Sequence, residues 1–545
     1  MPTLYNAILV INILIGTNKL AFHSDNHLPP EKISKSPANE AVLLNEQGSP
    51  RLFYVNRPGD ADKIMSMGWT AKGWSEAREE FALPGQAYYA LQMVESSKND
   101  LISVFHIFGK GENGYRGRHL DLWVNRRVNG EWGEPFKIYN GYVGAIRGLI
   151  KLKSGRLLLA FSRAVPEREK APQNGKVDYG WNNIVSMYSD DDGKSWDISK
   201  KPIEIEIDNT KTTRYGGIEP ELVEMRSGKI WMLIRTTHGV LYQSFSNDGG
   251  ETWEKARTTS FISSDSPSSV LRLKDGRLIM FFNSCQRWDN PNSYAMGGRE
   301  VLHAAISADD GLTWKGNREV AFENEEIPEK GDRGTAYSSA IEIEDGRILL
   351  ATGQGEARAV YTMDPDWLEE KNQVRYLSFK AIPSNSNLAK GKTVPRWMGD
   401  TLAFSYFTDS EAVINFPMNK IGSVQIGPLP ASELLDFGIA LTDHFSIPSD
   451  TAAFSAGVFN FKLSEILRNG QIKDNVTLRL DWDVVDPEGR LWVYIGGKQL
   501  AVFNSQSISN LGLNYLRIKS GNGFSKNTGI IPLVFTGHQT LGLNL

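Results

Sequence analysis

From about Ala87 onward the chain alternates short apolar runs with Gly, Asp and Asn turns and almost nowhere keeps a 3.6-residue period over helix length. That pattern predicts strands rather than helices. The order of runs also recurs. GAIRGLIKL, a turn at Ser154-Gly155-Arg156, LLLAFSR, a long loop and IVSMYS form one unit. GGIEPELVEM, Ser227-Gly228-Lys229, IWMLIRT and GVLYQSFS repeat it, as do SPSSVLRL, Asp275-Gly276-Arg277, LIMFFNS and EVLHAAIS. A further unit opens with TAYSSAIEI, Asp345-Gly346-Arg347, ILLATGQ and AVYTMDP. An earlier stretch, Ala87 to about Pro135, carries AYYALQMV, LISVFHIF and LDLWVNRR and closes on Asn129-Gly130-Glu131-Trp132.

Three of these units end on one octapeptide template, Ser-x-Asp-x-Gly-x-(Ser/Thr)-Trp, at Ser189 to Trp196, Ser246 to Trp253 and Ser307 to Trp314. Recurrence at about sixty-residue intervals marks an internal repeat. Each unit reads as strand, tight turn, strand, strand, turn, strand, which is a propeller blade. A four-stranded meander cannot bury both faces alone but can do so packed in a ring. The fold class expected is therefore all-β, a β-propeller followed by a second β domain. Five blades are countable and six expected, the sixth from Arg51 to Gln86 with strands from beyond Trp367 to close it.

After about Glu370 the repeat stops. TLAFSYFT, AVINFP, VTLRLDWDVV, RLWVYIGG and NYLRIKS alternate apolar and polar residues between turns, predicting a β-sandwich over 371–545. The propeller is placed at 51–370. Residues 23–50, rich in Ser, Asn, Pro and Lys and without periodicity, read as a linker. Residues 1–22 contain the apolar run Ala7 to Gly16, of signal-peptide length but with no preceding Lys or Arg, and imply a secreted or periplasmic protein.

Composition narrows the function. A length of 545 residues favours more than one domain. A formal charge of −4 speaks against a nucleic-acid reader. The single cysteine, Cys285, forms no intrachain disulfide, and no spacing suits a metal or cofactor. No other segment has the length and apolarity to span a membrane. Oligomeric state is not legible.

The repeated Asp-box turns resemble those of the sialidase (neuraminidase) superfamily, over roughly residues 87–368. The boxes imply fold rather than chemistry. The resemblance extends to pocket residues. Glu219, followed by Pro220, and Arg235 look like the family's catalytic Glu and one of its three substrate-carboxylate arginines. Arg299 stands where another such arginine is placed, and Tyr337 looks like the nucleophilic tyrosine. The implied substrate is a glycan ending in an acidic sugar, hydrolysed with retention. A carboxylate on the anomeric carbon would repel an anionic nucleophile, whereas a neutral Tyr hydroxyl relieved of its proton by an adjacent Glu avoids this. Arginines would hold the carboxylate through paired charge-assisted hydrogen bonds.

The sequence departs from the family in lacking an Arg-Ile-Pro motif in its usual place. In the unit opening at Ala87, the first strand reads Tyr88-Tyr89-Ala90-Leu91, and its loop Tyr115-Arg116-Gly117-Arg118-His119 has no acid. Arg147 then becomes the expected first arginine and Asp178 the expected general acid. The alternative builds a different acid or anion site from His119, Arg116 and Arg118. It makes the protein a sialidase-fold glycosidase or polysaccharide lyase for a uronate-type glycan. A third reading is a non-catalytic glycan-binding propeller, against which an intact Glu219 and Tyr337 argue. The structural alternatives are an ion pair for Glu219 and Arg235, sheet packing for Tyr337, a surface salt bridge for Arg299 and a turn cap for Asp178.

Overall fold

The computed structural model describes residues 27–70, 72–111, 120–165, 181–207, 215–286, 298–322, 334–379, 401–404, 410–435, 437–446, 452–467, 475–485, 488–520 and 530–539. Among them the chain is all-β, with short helical turns at Gly355–Ala357, Pro365–Glu369, Ala431–Leu434 and Leu463–Ile466.

Six antiparallel sheets follow one another along the first two-thirds of the described chain. Their first strands are Val42–Glu46, Gln86–Glu95, Gly148–Lys151, Ile218–Glu224, Ser269–Arg272 and Ser339–Glu342. Each first strand neighbours the next, and that of the sixth sheet neighbours that of the first, so the sheets close a ring. They are the blades of a β-propeller.

The second strand of each sheet shows why the ring holds. In Leu157–Val165, Leu157, Leu159 and Phe161 pack with Ile102 and Val104 of the second sheet, while Leu158 and Ala160 pack with Met232 and Ile234 of the fourth. In Ile230–Arg235, Trp231 and Leu233 turn the other way, toward Leu278 and Met280 of the fifth. Ile279 and Phe281 meet Ile348 and Leu350 of the sixth, whose Leu349 and Ala351 meet Leu43 and Leu52 of the first. Strand alternation sends successive side chains to opposite faces, and the ring makes both faces core. This is why these strands read as unbroken apolar runs.

The first and second strands of the third to sixth sheets are joined by the turns read from the sequence. In those turns Gly155, Gly228, Gly276 and Gly346 take φ of 85–92°, a conformation glycine adopts without steric cost. The Asp boxes lie between third and fourth strands. Asp191 accepts from Ser189 Oγ (2.8 Å), Lys194 N (3.0 Å), Ser195 N (2.9 Å) and Ser195 Oγ (2.7 Å). Burial would raise its carboxyl, but these donors hold it down to about 2. Trp196 and Trp314 donate back to Gly193 and Gly311 of their own turns, whereas Trp253 reaches Ser186 Oγ of the preceding sheet at 2.8 Å.

The stretch 23–50 expected as a linker is structured instead where described. Glu31–Ser34 pairs with Ala359–Met363 as the outermost strand of the sixth sheet, and Val42–Glu46 opens the first. Closure thus comes from the chain's N-terminal side rather than from beyond Trp367, because Ala359–Met363 had an open edge that a short distant strand could fill. The expected signal peptide lies outside the described residues. Among those described, no helix is long and apolar enough to cross a membrane.

Beyond Gln373 a seven-stranded and a four-stranded sheet enclose one apolar core containing Phe416, Val424, Ile439, Leu480, Trp482 and Phe535. This sandwich packs on the fifth sheet. Tyr515 donates to Glu319 (2.8 Å) and meets His303 Nε2 (2.5 Å), Asn514 Nδ2 donates to Asn317 O (2.9 Å), and Cys285 lies buried against Phe445.

Candidate active site

The residues facing the ring's axis come from the starts of the first strands and the ends of the second. On Ile218–Glu224 the ladder slips. Ile218 pairs with Arg235 and Glu221 with Leu233, so one extra residue bulges out. Glu219 stands in that bulge at φ 48°, and Tyr337, two residues before its own ladder begins, has φ 62°. Left-handed backbone costs a residue other than glycine about 1–3 kcal/mol, and it persists where surrounding contacts hold it. Here those contacts are the site's own hydrogen bonds.

The Tyr337 hydroxyl donates to Glu219 Oε1 at 2.9 Å. Arg235 Nη1 lies 2.6 Å from Glu219 Oε2 and 3.1 Å from the Tyr337 oxygen, while its Nε donates to Asp265 Oδ1 at 2.7 Å. Asp265 also accepts from the hydroxyl of Tyr215. Arg299, 1% exposed, donates through Nη2 to the Asp265 backbone oxygen (2.8 Å) and through Nη1 to Gln354 Oε1 (3.2 Å). Its guanidinium carbon is 5.5 Å from the centre of the Tyr337 ring. Arg147 approaches that ring at 5.8 Å and donates through Nη2 to Ser338 O, leaving Nε, buried, without a hydrogen-bond partner among the described residues.

All three expected arginines therefore surround Tyr337. Burial of Arg235 opposes its charge, but Asp265 and Glu219 raise its pKa well above the ordinary value. Burial pushes Tyr215 well above the usual phenol range, with Asp265 adding to the rise. Glu221 is pushed up to about 7 by burial, against the pull of Arg147. Three guanidiniums thus stand with the carboxyls of Glu219 and Asp265 and with a third that binds its proton near neutrality. The balance suits an incoming anion.

Tyr337, Glu219, Arg147, Arg235 and Arg299 are brought together. Asp178 lies outside the described residues, as do Arg116, Arg118 and His119. Asp265, Tyr215, Gln354 and Glu221 were missed. Period-2 alternation in GGIEPELVEM places Glu221 on the face of Glu219 and could have revealed it. Asp265 sits in the turn-like run Ser263-Ser264-Asp265-Ser266, where an acid reads as a cap. Gly334, φ 76°, passes so close to Arg299 that a Cβ would stand 2.4 Å from its backbone oxygen. His238 and His303 bond to Glu206 O and Tyr515 OH and take no part in the cluster. His27, Asp364 and Asp366 bring possible metal-ligand atoms within 4.8 Å of one another, at the outer strands of the sixth sheet and apart from Tyr337.

The family model described as a BNR repeat-like domain matches residues 68–350. A sialidase of Vibrio cholerae serotype O1 is 30% identical over 216 residues, covering 34% of this chain and 26% of that protein. The chain thus spans about a quarter of the length of the curated relatives it matches. Among solved structures, a protein of unknown function from Dyadobacter fermentans gives a TM-score of 0.42 at 14% identity, over 61% of this chain and 98% of that one. A Trypanosoma rangeli sialidase in complex with 2,3-difluorosialic acid gives 0.42 at 12% identity, over 92% of each chain.

Proposed function

We propose, on the premise that this chain belongs to the BNR repeat-like domain family of the sialidase superfamily, that it is a retaining exo-glycosidase releasing a terminal acidic sugar, sialic-acid-like, from glycans. The observation that carries the reading is the Tyr337–Glu219 hydrogen bond, 2.9 Å, with three guanidiniums around the tyrosine.

Glu219 takes the Tyr337 proton as the phenol oxygen attacks the anomeric carbon, so the nucleophile is neutral until it reacts and is not repelled by the substrate carboxylate. Arg235 Nη1, within 3.1 Å of the Tyr337 oxygen, stabilises the negative charge that grows there. Arg147, Arg235 and Arg299 hold the substrate carboxylate and set the sugar in line for attack. The glycan substrate is the only partner this chemistry requires. The sandwich beyond residue 370 is an accessory to the propeller, and an exported enzyme suits a substrate on external glycans.

The test is turnover of a fluorogenic α-sialoside beside a p-nitrophenyl β-glucuronide, with the first-formed product anomer followed by NMR. Sialoside cleavage with retention, abolished in Tyr337→Phe, is expected. Inversion, or activity unaffected by Tyr337→Phe, overturns the mechanism. Turnover of the glucuronide alone moves the substrate to the uronate class, and no turnover of either leaves a glycan-binding propeller.

A further inference from the structure

We infer that Gln354, clamped from the first sheet by Asn39 and Glu40, is the positioning residue that fixes Arg299 toward the substrate carboxylate; this rests on Arg299 being one of the arginines that hold an acidic sugar.

Gln354 follows the second strand of the sixth sheet, Ile348–Thr352, at the end where Tyr337 leads into the first strand, Ser339–Glu342. Its backbone N donates to Gly334 O at 2.8 Å, and Gly353 N donates to Ala336 O at 3.0 Å. Thr335 N in turn donates to Arg299 O at 2.7 Å. Main-chain contacts therefore tie Gln354 to the segment that carries Tyr337, and that segment to the backbone of Arg299. Gln354 is 2% exposed, so bulk water does not compete for its amide.

Arg299 Nη1 donates to Gln354 Oε1, and Gln354 Nε2 donates to Glu40 Oε1, each at 3.2 Å. A guanidinium only donates and an ionised carboxylate only accepts, so the amide between them has one orientation. A charged group at each end also makes both hydrogen bonds stronger than neutral ones. Beside them Asn39 Oδ1 accepts from Gly355 N at 3.0 Å. Two adjacent residues of the first sheet's lead-in thus hold two adjacent residues of the sixth sheet. The holding segment is itself fixed on both sides. Glu31–Ser34 pairs along Ala359–Met363, and Leu43 N donates to Ser339 Oγ at 3.0 Å. Glu40 has φ 55°, the left-handed backbone also found at Glu219 and Tyr337, which persists where surrounding contacts hold it.

Gln354 Oε1 at Nη1 and the Asp265 backbone oxygen at Nη2, 2.8 Å away, together set the plane of the Arg299 guanidinium. Both acceptors are uncharged, so neither contact cancels the cation. Arg235, by contrast, is bound to the carboxylates of Glu219 and Asp265. Oriented by neutral groups, Arg299 keeps its attraction for an incoming anion at those contacts. A glutamate at position 354 would give Arg299 a charged partner and face Glu40 with a second carboxylate. A leucine there would take the acceptor away from a buried Nη1.

The test is steady-state kinetics on α2,3-sialyllactose for wild type, Gln354→Leu, Gln354→Glu, Glu40→Ala, Glu40→Gln and the double variant Glu40→Ala/Gln354→Leu. Circular dichroism and thermal melting establish that each is folded. Both Gln354 variants are expected to raise KM about tenfold or more with kcat within about threefold, because binding lost equally from ground and transition states appears in KM. Glu40→Ala should raise KM by about three- to tenfold, and Glu40→Gln, which keeps an oxygen acceptor, should recover most of that loss. The double variant should match Gln354→Leu, since Glu40 acts on Arg299 through the amide. An unchanged KM in folded Gln354→Leu or Glu40→Ala, a loss confined to kcat, or KM effects that multiply in the double variant overturns the assignment while the Tyr337 reading stands. Absence of wild-type turnover removes the acidic-sugar reading and this one with it.

Discussion

Tyr337, two residues ahead of the first strand of the sixth sheet, and Glu219, in the first strand of the fourth, are 118 residues apart in sequence and join through a 2.9 Å hydrogen bond with both residues in left-handed backbone. Neither strand alone would position its side chain so; the bulge at Glu219 and the residues leading into Ser339–Glu342 meet only because the ring closes.

The first prediction follows from that pair acting as a unit. Tyr337→Phe keeps the buried ring and is expected to lower kcat on the order of 10³-fold or more on any substrate the wild type accepts. Glu219→Gln should do comparable damage. The double variant should be no worse than the more severe single one, since both remove the same proton transfer. Steady-state kinetics of the three variants decides it, and additive losses would separate the two roles.

Asp265 is a positioning residue, holding Arg235 through Nε and Arg299 through its backbone oxygen. Asp265→Ala leaves a buried guanidinium short of one partner, with an expected cost of about 3–5 kcal/mol in urea unfolding. Asp265→Asn keeps a side-chain acceptor and should recover much of the stability while raising KM for an anionic substrate. A KM unchanged in Asp265→Asn would show that Arg235 does not depend on its orienting contact.

Glu221 gives a pH signature. Burial raises its carboxyl from 4.5 to about 7, partly opposed by Arg147, so the folded state binds the proton more tightly than the unfolded one. The stability this contributes is full below about 4.5 and is lost as pH rises through about 7, a change of roughly 3 kcal/mol. Thermal melting of Glu221→Gln against wild type across this range should show a flatter dependence for the variant. Parallel curves would remove Glu221 as the cause.

The Asp boxes should matter to stability and not to turnover. Asp248 accepts from Ser246 Oγ, Thr252 N and Thr252 Oγ1 at the turn after Val240–Ser246, far along the sheet from its axial strand. Asp248→Ala is expected to lower unfolding free energy by about 1–3 kcal/mol with kcat intact. A loss of kcat in a fully folded variant would contradict a purely structural box.

What the sequence by itself determined was local. Strand runs, the glycine turns at Gly155, Gly228, Gly276 and Gly346, and the Asp-box hydrogen bonds all involve contiguous residues, so their chemistry is written in spacing. The register of the repeat also placed Glu219, Arg235, Arg299, Tyr337 and Arg147 at strand ends. Tertiary structure decided what meets what. Glu31–Ser34 closes the sixth sheet because Ala359–Met363 had an open edge, although nothing in its own composition marks it as a strand. Asp265, in a serine-rich turn, becomes the anchor of Arg235 only when the fourth and fifth sheets pack together. Likewise Glu221 acquires its raised pKa from burial against neighbours distant in the chain. Hydrogen bonds of turns are set by nearest residues, but desolvation and ion pairing depend on ring closure, which brings together side chains that the sequence keeps tens to hundreds of residues apart.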